Sequence, residues 1–175
     1  VEAPTTITPD DFVGAKVCGD CHGEEYKAWA LSAHGRAGGP PSDGTIIPRF
    51  DGQSLTFTDG RIILEKKKDR YAMVLQRLGR GKKRYEIHGV VGRGLMNGGG
   101  AQTYFHRAPD GRMLLLPLEY NVQKNTWFCQ TGGPKKWAPI DGTIKIEDCE
   151  WPPRRALGVT PGQACQNCHG RRWGG

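Results

Sequence analysis

Residues 17–34 read VCGDCHGEEYKAWALSAH, and residues 165–169 read CQNCH. Each stretch holds Cys-x-x-Cys-His: Cys18, Cys21 and His22 in the first, Cys165, Cys168 and His169 in the second. Cys and His are good zinc ligands, and two Cys-x-x-Cys pairs could close one four-thiolate site. Such a site has no use for a His directly after the second Cys in both copies. Covalent haem attachment requires that His. Two thiols add to the vinyl groups, and the next residue supplies an axial nitrogen from the same turn of chain. The expectation is therefore two covalently bound haem c groups. Cys18, Cys21, Cys165 and Cys168 are their thioether tethers, and His22 and His169 their proximal iron ligands.

Length and composition set the frame. A chain of 175 residues suits one domain, or one domain with a large insertion. Apolar residues make up 37%, beside 26 Gly and 12 Pro, so the core is modest and turns are many. No apolar run reaches 18 residues, so no transmembrane helix is expected. Val1-Glu2-Ala3-Pro4 lacks the basic start and apolar stretch of a secretory signal. Either a signal has been removed, or the chain is a piece of something longer. The net charge of +7 gathers in Lys66-Lys67-Lys68, Arg80 to Arg84, Lys135-Lys136, Arg154-Arg155 and Arg171-Arg172. Read plainly, these runs are solvated surface. Read functionally, they pair with anionic cofactor groups or dock an acidic redox partner. They lack interleaved aromatics and match no nucleic-acid reading module, which argues against nucleic acid.

Haem is joined to thiols outside the cytoplasm, where disulfides also persist. A periplasmic or otherwise extracytoplasmic location follows. Two of the six cysteines then remain, Cys129 and Cys149. A disulfide between them is expected, with two separate buried thiols as the alternative. Closing a loop of about 20 residues would contribute roughly 3 kcal/mol.

Each iron needs a second axial ligand or stays open. Three histidines are left, His34, His88 and His106, and Met73, Met96 and Met113 are the thioether options. Between the first pentapeptide and His34 lies GEEYKAWALSA. Tyr26, Trp29 and Ala30 recur at i, i+3, i+4, which predicts a short amphipathic helix over about 23–33. Glu24 and Glu25 suit its first turn, and Gly35 stops it. At about 1.5 Å per residue, the steps from His22 to His34 span roughly 18 Å along a helix. Two nitrogens on one iron lie only about 4 Å apart, given metal–nitrogen bonds of about 2 Å. His34 is accordingly expected to be the distal ligand of the second haem, unless the chain reverses after Trp29.

DFVGAKVCGDCHGEEYKAWALSAHGRA resembles the opening of multihaem c-type cytochromes related to the tetrahaem carriers of nitrogen metabolism. Phe12-Val13-Gly14 leads to the pentapeptide, an acidic aromatic helix follows, and Trp29, Ser32 and His34 match Trp-x-x-Ser-x-His. In that family the last His is a distal haem ligand, and the resemblance implies this role for His34. GVVGRGLMNGGGAQTYFHRAPDGRMLLLPLEYNVQKNTWF is similar to a segment of large extracytoplasmic multihaem proteins. The resemblance covers roughly residues 12–36, 85–128 and 160–170. This chain departs from the family in carrying two haem motifs only.

The interior reads as β-rich. Asp59-Gly60 and Asp110-Gly111 are hairpin signals, set among RIILEKK, YAMVLQRL, RYEIHGVV, QTYFH and RMLLLPLEY. Pro117 implies an edge strand or a bulge. The expected fold is α+β, with helical or loop haem-bearing ends flanking an inserted antiparallel sheet. It forms a single dihaem domain over 1–175, with a first haem module at 12–43, the β-rich insertion at 44–150 and a second haem module at 151–175. His88, read as mid-strand beside a Gly-rich stretch, is favoured as the remaining distal ligand. His106, next to a hairpin turn and expected to be more exposed, is the runner-up. Two bis-His haems held close make an electron relay, with the protein supplying orientation and a docking surface. The expected role is an extracytoplasmic dihaem electron-transfer protein acting between redox partners, alone or within a larger electron-transfer complex. It is expected not to be an enzyme. The alternatives are a haem enzyme with one open iron, with Tyr104 and Arg107 as the nearby polar groups, or a subunit of a haem filament.

Overall fold

The run from Gly60 to Arg77 carries two apolar clusters, Ile62-Ile63-Leu64 and Tyr71 to Leu75, on either side of the charged stretch from Glu65 to Arg70, and it folds back on itself as a hairpin. In the computed structural model of the chain, residues 14–92, 100–131 and 137–154 are described. They fall into two compact units: described residues 14–36 belong to the first, and 37–154 to the second.

The second unit is antiparallel β-structure throughout. Its strands are β1 (Gly38–Gly39), β2 (Asp51–Phe57), β3 (Gly60–Lys67), β4 (Arg70–Arg77), β5 (Lys82–Glu86), β6 (Gly89–Val91), β7 (Ala101–Arg107), β8 (Met113–Asn121), β9 (Thr126–Gln130) and β10 (Trp137–Pro139). The single inserted sheet expected from the sequence is two sheets, ordered β2-β3-β4-β5 and β1-β6-β7-β8-β9-β10. Both expected hairpins form. Phe57 pairs with Gly60 across Thr58-Asp59, and Arg107 pairs with Met113 across the turn holding Asp110-Gly111. The register of β7 on β8 shifts between Thr103 and Phe105, opposite the stretch containing Pro117. Pro117 therefore marks a bulge inside the sheet rather than an edge, since a proline cannot donate to the ladder.

One core serves both sheets. Leu55, Ile62, Leu64 and Met73 of the first sheet join Val90, Tyr104, Leu116, Leu118 and Trp127 of the second. Phe50, in the segment before β2, touches Tyr71 on one side and Tyr104 and Trp127 on the other, edge-on at 5.6, 6.1 and 6.1 Å between ring centres. On the far face of β4, Ala72 and Val74 are buried although they point away from this core. On that face Arg84 of β5 reaches across β4 to Glu65 of β3, and Arg70 of β4 pairs with Glu86 of β5. Cys129 and Cys149 are joined in a disulfide with 5.4 Å between their Cα atoms.

Gln102 is the polar centre of the unit, with no solvent exposure. Its Nε2 donates to the carbonyls of Thr45 and Gly92, both at 2.8 Å, and its Oε1 accepts from Ile47 N and Tyr104 Oη, both at 2.9 Å. A buried amide with every bond made costs little; truncation strands all of its partners. Gly92, at φ +87°, is where the chain passes so close to β7 that a Cβ would lie 2.0 Å from the Ala101 carbonyl. Gln102→Ala is expected to lower unfolding stability by about 3 kcal/mol in urea titration. A loss below about 1 kcal/mol would show that this amide does not organise the loop from Thr45 to Ile47.

Candidate functional site: the first pentapeptide and the sheet-switch corner

Unit one is built around the first pentapeptide. Helix α1 (Ala15–Gly19) carries Cys18, and a turn leads through Cys21 to His22, the N-cap of helix α2 (Gly23–Leu31). The turn is closed by His22 N donating to the Cys18 carbonyl at 2.9 Å, and Tyr26 N donates to the His22 carbonyl at 2.8 Å. The His22 side chain makes no capping bond. Gly19, between the two cysteines, lets the Tyr26 ring lie close: a Cβ there would stand 2.9 Å from Tyr26 Cγ. Cys18, Cys21 and His22 are all exposed, and both thiols are unpaired. Among the described residues no group of three or more His, Cys, Asp or Glu converges to hold a metal ion.

Helix α2 was expected over about 23–33 and ends at Leu31, for a local reason. Ser32 turns extended, at ψ 160°, and its Oγ donates to the Trp29 carbonyl at 2.6 Å while accepting from Gly35 N at 3.0 Å. The Trp-x-x-Ser-x-His order thus has a mechanical content: Trp29 offers the carbonyl, Ser32 caps it, and His34 is placed on an exposed turn just beyond. The helix runs without a break past Trp29. No residue of either helix is buried, and Val17 and Leu31 are 53% and 74% exposed.

The other two histidines meet at one corner of the second unit. RYEIHGVV was read as one strand with His88 in its middle; it is two strands, and His88 lies in the connector between β5 and β6. The chain changes sheets here. Ile87 N donates to the Tyr71 carbonyl in the first sheet at 2.8 Å, and His88 N donates to the Phe105 carbonyl in the second at 2.7 Å. His106, on β7, sits beside it with 5.6 Å between ring centres, and the two rings are buried to a similar, intermediate degree. The greater exposure expected of His106 is not observed. Their hydrogen bonds run in opposite senses. His106 Nδ1 stands 2.8 Å from the Glu86 carbonyl, which can only accept, so Nδ1 carries the proton. His88 Nδ1 accepts from Arg107 N at 3.0 Å, so its proton is on Nε2. Burial, with the neighbouring His106 and Arg107 adding to it, pushes the His88 imidazole below its usual range; Glu86 opposes the shift in part.

Other candidates are occupied elsewhere. Met73 is fully buried in the core. Tyr104 is also buried, its hydroxyl donates to Gln102, and desolvation holds it well above the ordinary phenol range. Met96, and the second pentapeptide with Cys165, Cys168 and His169, lie outside the described residues.

Charge is unevenly matched over the first sheet. At one end Lys66 pairs with Asp43 at 2.5 Å and Lys67 with Glu65 at 3.7 Å, while Arg70 pairs with Glu86. At the other end Arg61, Arg80, Lys82 and Lys83 have no carboxylate partner among the described residues, and Leu78 is 75% exposed between them. The structural signal for this patch lies in the register: Arg61, Gln76 and Lys82 face one another across three strands. Among the described residues no helix is long and apolar enough to cross a membrane. No family model, curated protein or solved structure matches the chain.

Gly35 has no room for a side chain, since a Cβ would lie 2.0 Å from the Trp29 carbonyl oxygen. Gly35→Ala is expected to open the turn at His34, speeding hydrogen exchange at the amides of Ser32 and Arg36 about tenfold, equivalent to about 1.4 kcal/mol. Unchanged exchange would mean that Ser32 does not hold this turn as described.

Proposed function

We propose that the protein is an extracytoplasmic dihaem c-type cytochrome that relays electrons between redox partners. The observation that carries this reading is the state of the first pentapeptide. Two thiols at Cys-x-x-Cys spacing stand exposed and unpaired, while the other two described cysteines are joined to each other. Beside them are two helices with no buried side chain. A helix of nine residues is marginal in water without something apolar to pack on. Cys18 and Cys21 would tether a haem, His22 would offer its nitrogen, and Tyr26 and Trp29, 5.8 Å apart, would give it an aromatic flank. A haem would spread Cys18, Cys21 and His22 over two vinyl carbons and an iron, which matches the Cys-x-x-Cys-His order. When bound, haem supplies a one-electron couple.

The chain's own residues do the rest. His34, set on its turn by Ser32, would offer its imidazole to the second haem, which Cys165 and Cys168 would tether and His169 would also hold. Six-coordinate iron has no position for a substrate, which favours transfer over catalysis. The unpaired cations around Leu78 would steer an acidic redox partner. The disulfide suits an oxidising compartment.

Replacing both tethers, Cys18→Ser with Cys21→Ser, is expected to halve the haem content, from two to one per chain by pyridine haemochrome absorbance. Two haems retained in that variant would contradict the assignment of the first pentapeptide. A parent chain without haem would contradict the reading as a whole.

A further inference from the structure

We infer that the turn between β4 and β5 is a contact site for an anionic lipid surface, with Leu78 entering the headgroup layer and the cations behind it meeting lipid phosphates. The inference goes beyond the dihaem reading and does not rest on it. From Arg70 to Tyr85 the chain carries no acid. Residues 78–84 are exposed without a break, in the order Leu, Gly, Arg, Gly, Lys, Lys, Arg. Leu78 is the most exposed large apolar side chain among the described residues. A Cβ at Gly79 or Gly81 would meet nothing within 4 Å, so the turn stands clear of its neighbours.

The adjoining strands give this tip its charge. Gln76 of β4 faces Arg61 of β3 on one side and Lys82 of β5 on the other, and Arg61 Nε donates to Gln76 Oε1 at 3.1 Å. Lys82 and Lys83 are consecutive on a strand and point to opposite faces, so cations stand on both sides of the turn. Lys83 Nζ lies over the Tyr85 ring, 5.2 Å from its centre. With Arg80 in the turn itself, these cations have no carboxylate partner among the described residues. The acids of the neighbouring segments are engaged. Asp59 Oδ1 accepts from Ile146 N at 2.7 Å, its carbonyl accepts from Leu78 N at 3.0 Å, and Glu147 pairs with Lys145 at 3.4 Å.

Long-range steering of an acidic redox partner needs only the cations, whereas contact must also place Leu78. A stable protein interface buries about 800 Å² on each side around an apolar core. This tip offers a single large apolar side chain, on a projecting turn. A bilayer asks for less. Its phosphates lie outside its acyl chains, and an amphipathic element rests at that boundary by apolar burial together with attraction to anionic headgroups. Leu78 leads in the turn, and Arg61, Lys82 and Lys83 follow on the strands behind it, which is the same order in depth.

The test is co-sedimentation of the full chain with vesicles of equal parts phosphatidylglycerol and phosphatidylcholine, and with vesicles of phosphatidylcholine alone. The chain is expected to bind the anionic vesicles at about 0.1 M salt and to leave them at about 1 M, where the Debye length falls from about 10 to about 3 Å. Arg80→Gln with Lys82→Gln is expected to weaken binding about 25-fold, at about fivefold per cation, and Leu78→Ser about fivefold. Lys67→Gln with Lys68→Gln removes the same charge at the opposite end of the sheet, and screening is expected to hold its effect below about twofold. All of these positions are exposed, so the variants are expected to keep the parent fold. No binding to anionic vesicles would overturn the site and leave the cations to an acidic protein. Equal binding to neutral vesicles, equal weakening by the two double variants, or an unchanged affinity in Leu78→Ser would overturn it as well. Haem content does not enter this measurement, so its failure is distinct from a failure of the dihaem reading.

Discussion

A buried amide must have all of its hydrogen bonds made, and the sheet unit is arranged around one that does. Gln102, with no solvent exposure, gathers the loop at Thr45 and Ile47, Gly92 just after β6 and the Tyr104 hydroxyl. Each partner left unmatched would cost about 1–3 kcal/mol, which is large beside the stability of a small domain. The same strand that carries Gln102 runs on through His106 to end at Arg107, so the residue that locks the loop lies on the strand that forms the corner. There the chain passes from one sheet to the other within two residues, Ile87 and His88, and two imidazole–backbone hydrogen bonds run alongside the crossing.

The pentapeptide unit follows a different logic. None of the side chains in its two helices is buried, and its order rests on local bonds: the Cys18 carbonyl to His22, and Trp29 to Ser32. Local bonds of this kind cap and turn a chain, but they do not supply the apolar contact that makes a nine-residue helix persist. On the proposed reading a covalently held porphyrin would supply that contact and use the exposed thiols, so one group would meet two separate needs.

Much of the sheet unit was legible in the sequence, because its signals are local. RIILEKK and YAMVLQRL form strands as expected, the two Asp-Gly pairs turn as expected, and Pro117 marks a bulge. The Cys129–Cys149 pairing followed from compartment and from counting cysteines. What was not legible depends on partners far along the chain. DGQSLTF buries only Leu55 and Phe57, too weak a pattern to announce β2. RYEIHGVV looks like one strand until two carbonyls, from Tyr71 and Phe105, divide it between sheets. That the His88 and His106 rings use Nδ1 in opposite senses, one accepting from Arg107 N and the other donating to the Glu86 carbonyl, leaves no trace in composition or periodicity. At α2, by contrast, Trp29, Ser32 and Gly35 could have marked the helix end at Leu31, since a Ser hydroxyl competes for the backbone carbonyl three residues back.

Cations at one end of the first sheet are matched by Asp43, Glu65 and Glu86, whereas those around Leu78 have no carboxylate partner among the described residues and, on the proposed reading, would meet an acidic partner. Such a field speeds encounter more than it strengthens binding, which suits a protein that must also let go. The most direct check of the whole scheme is the intact mass of the chain isolated from its native host under denaturing conditions. Thioether attachment survives denaturation, so the expected mass exceeds that of the amino acids by two haem groups. A mass equal to the polypeptide alone would contradict it.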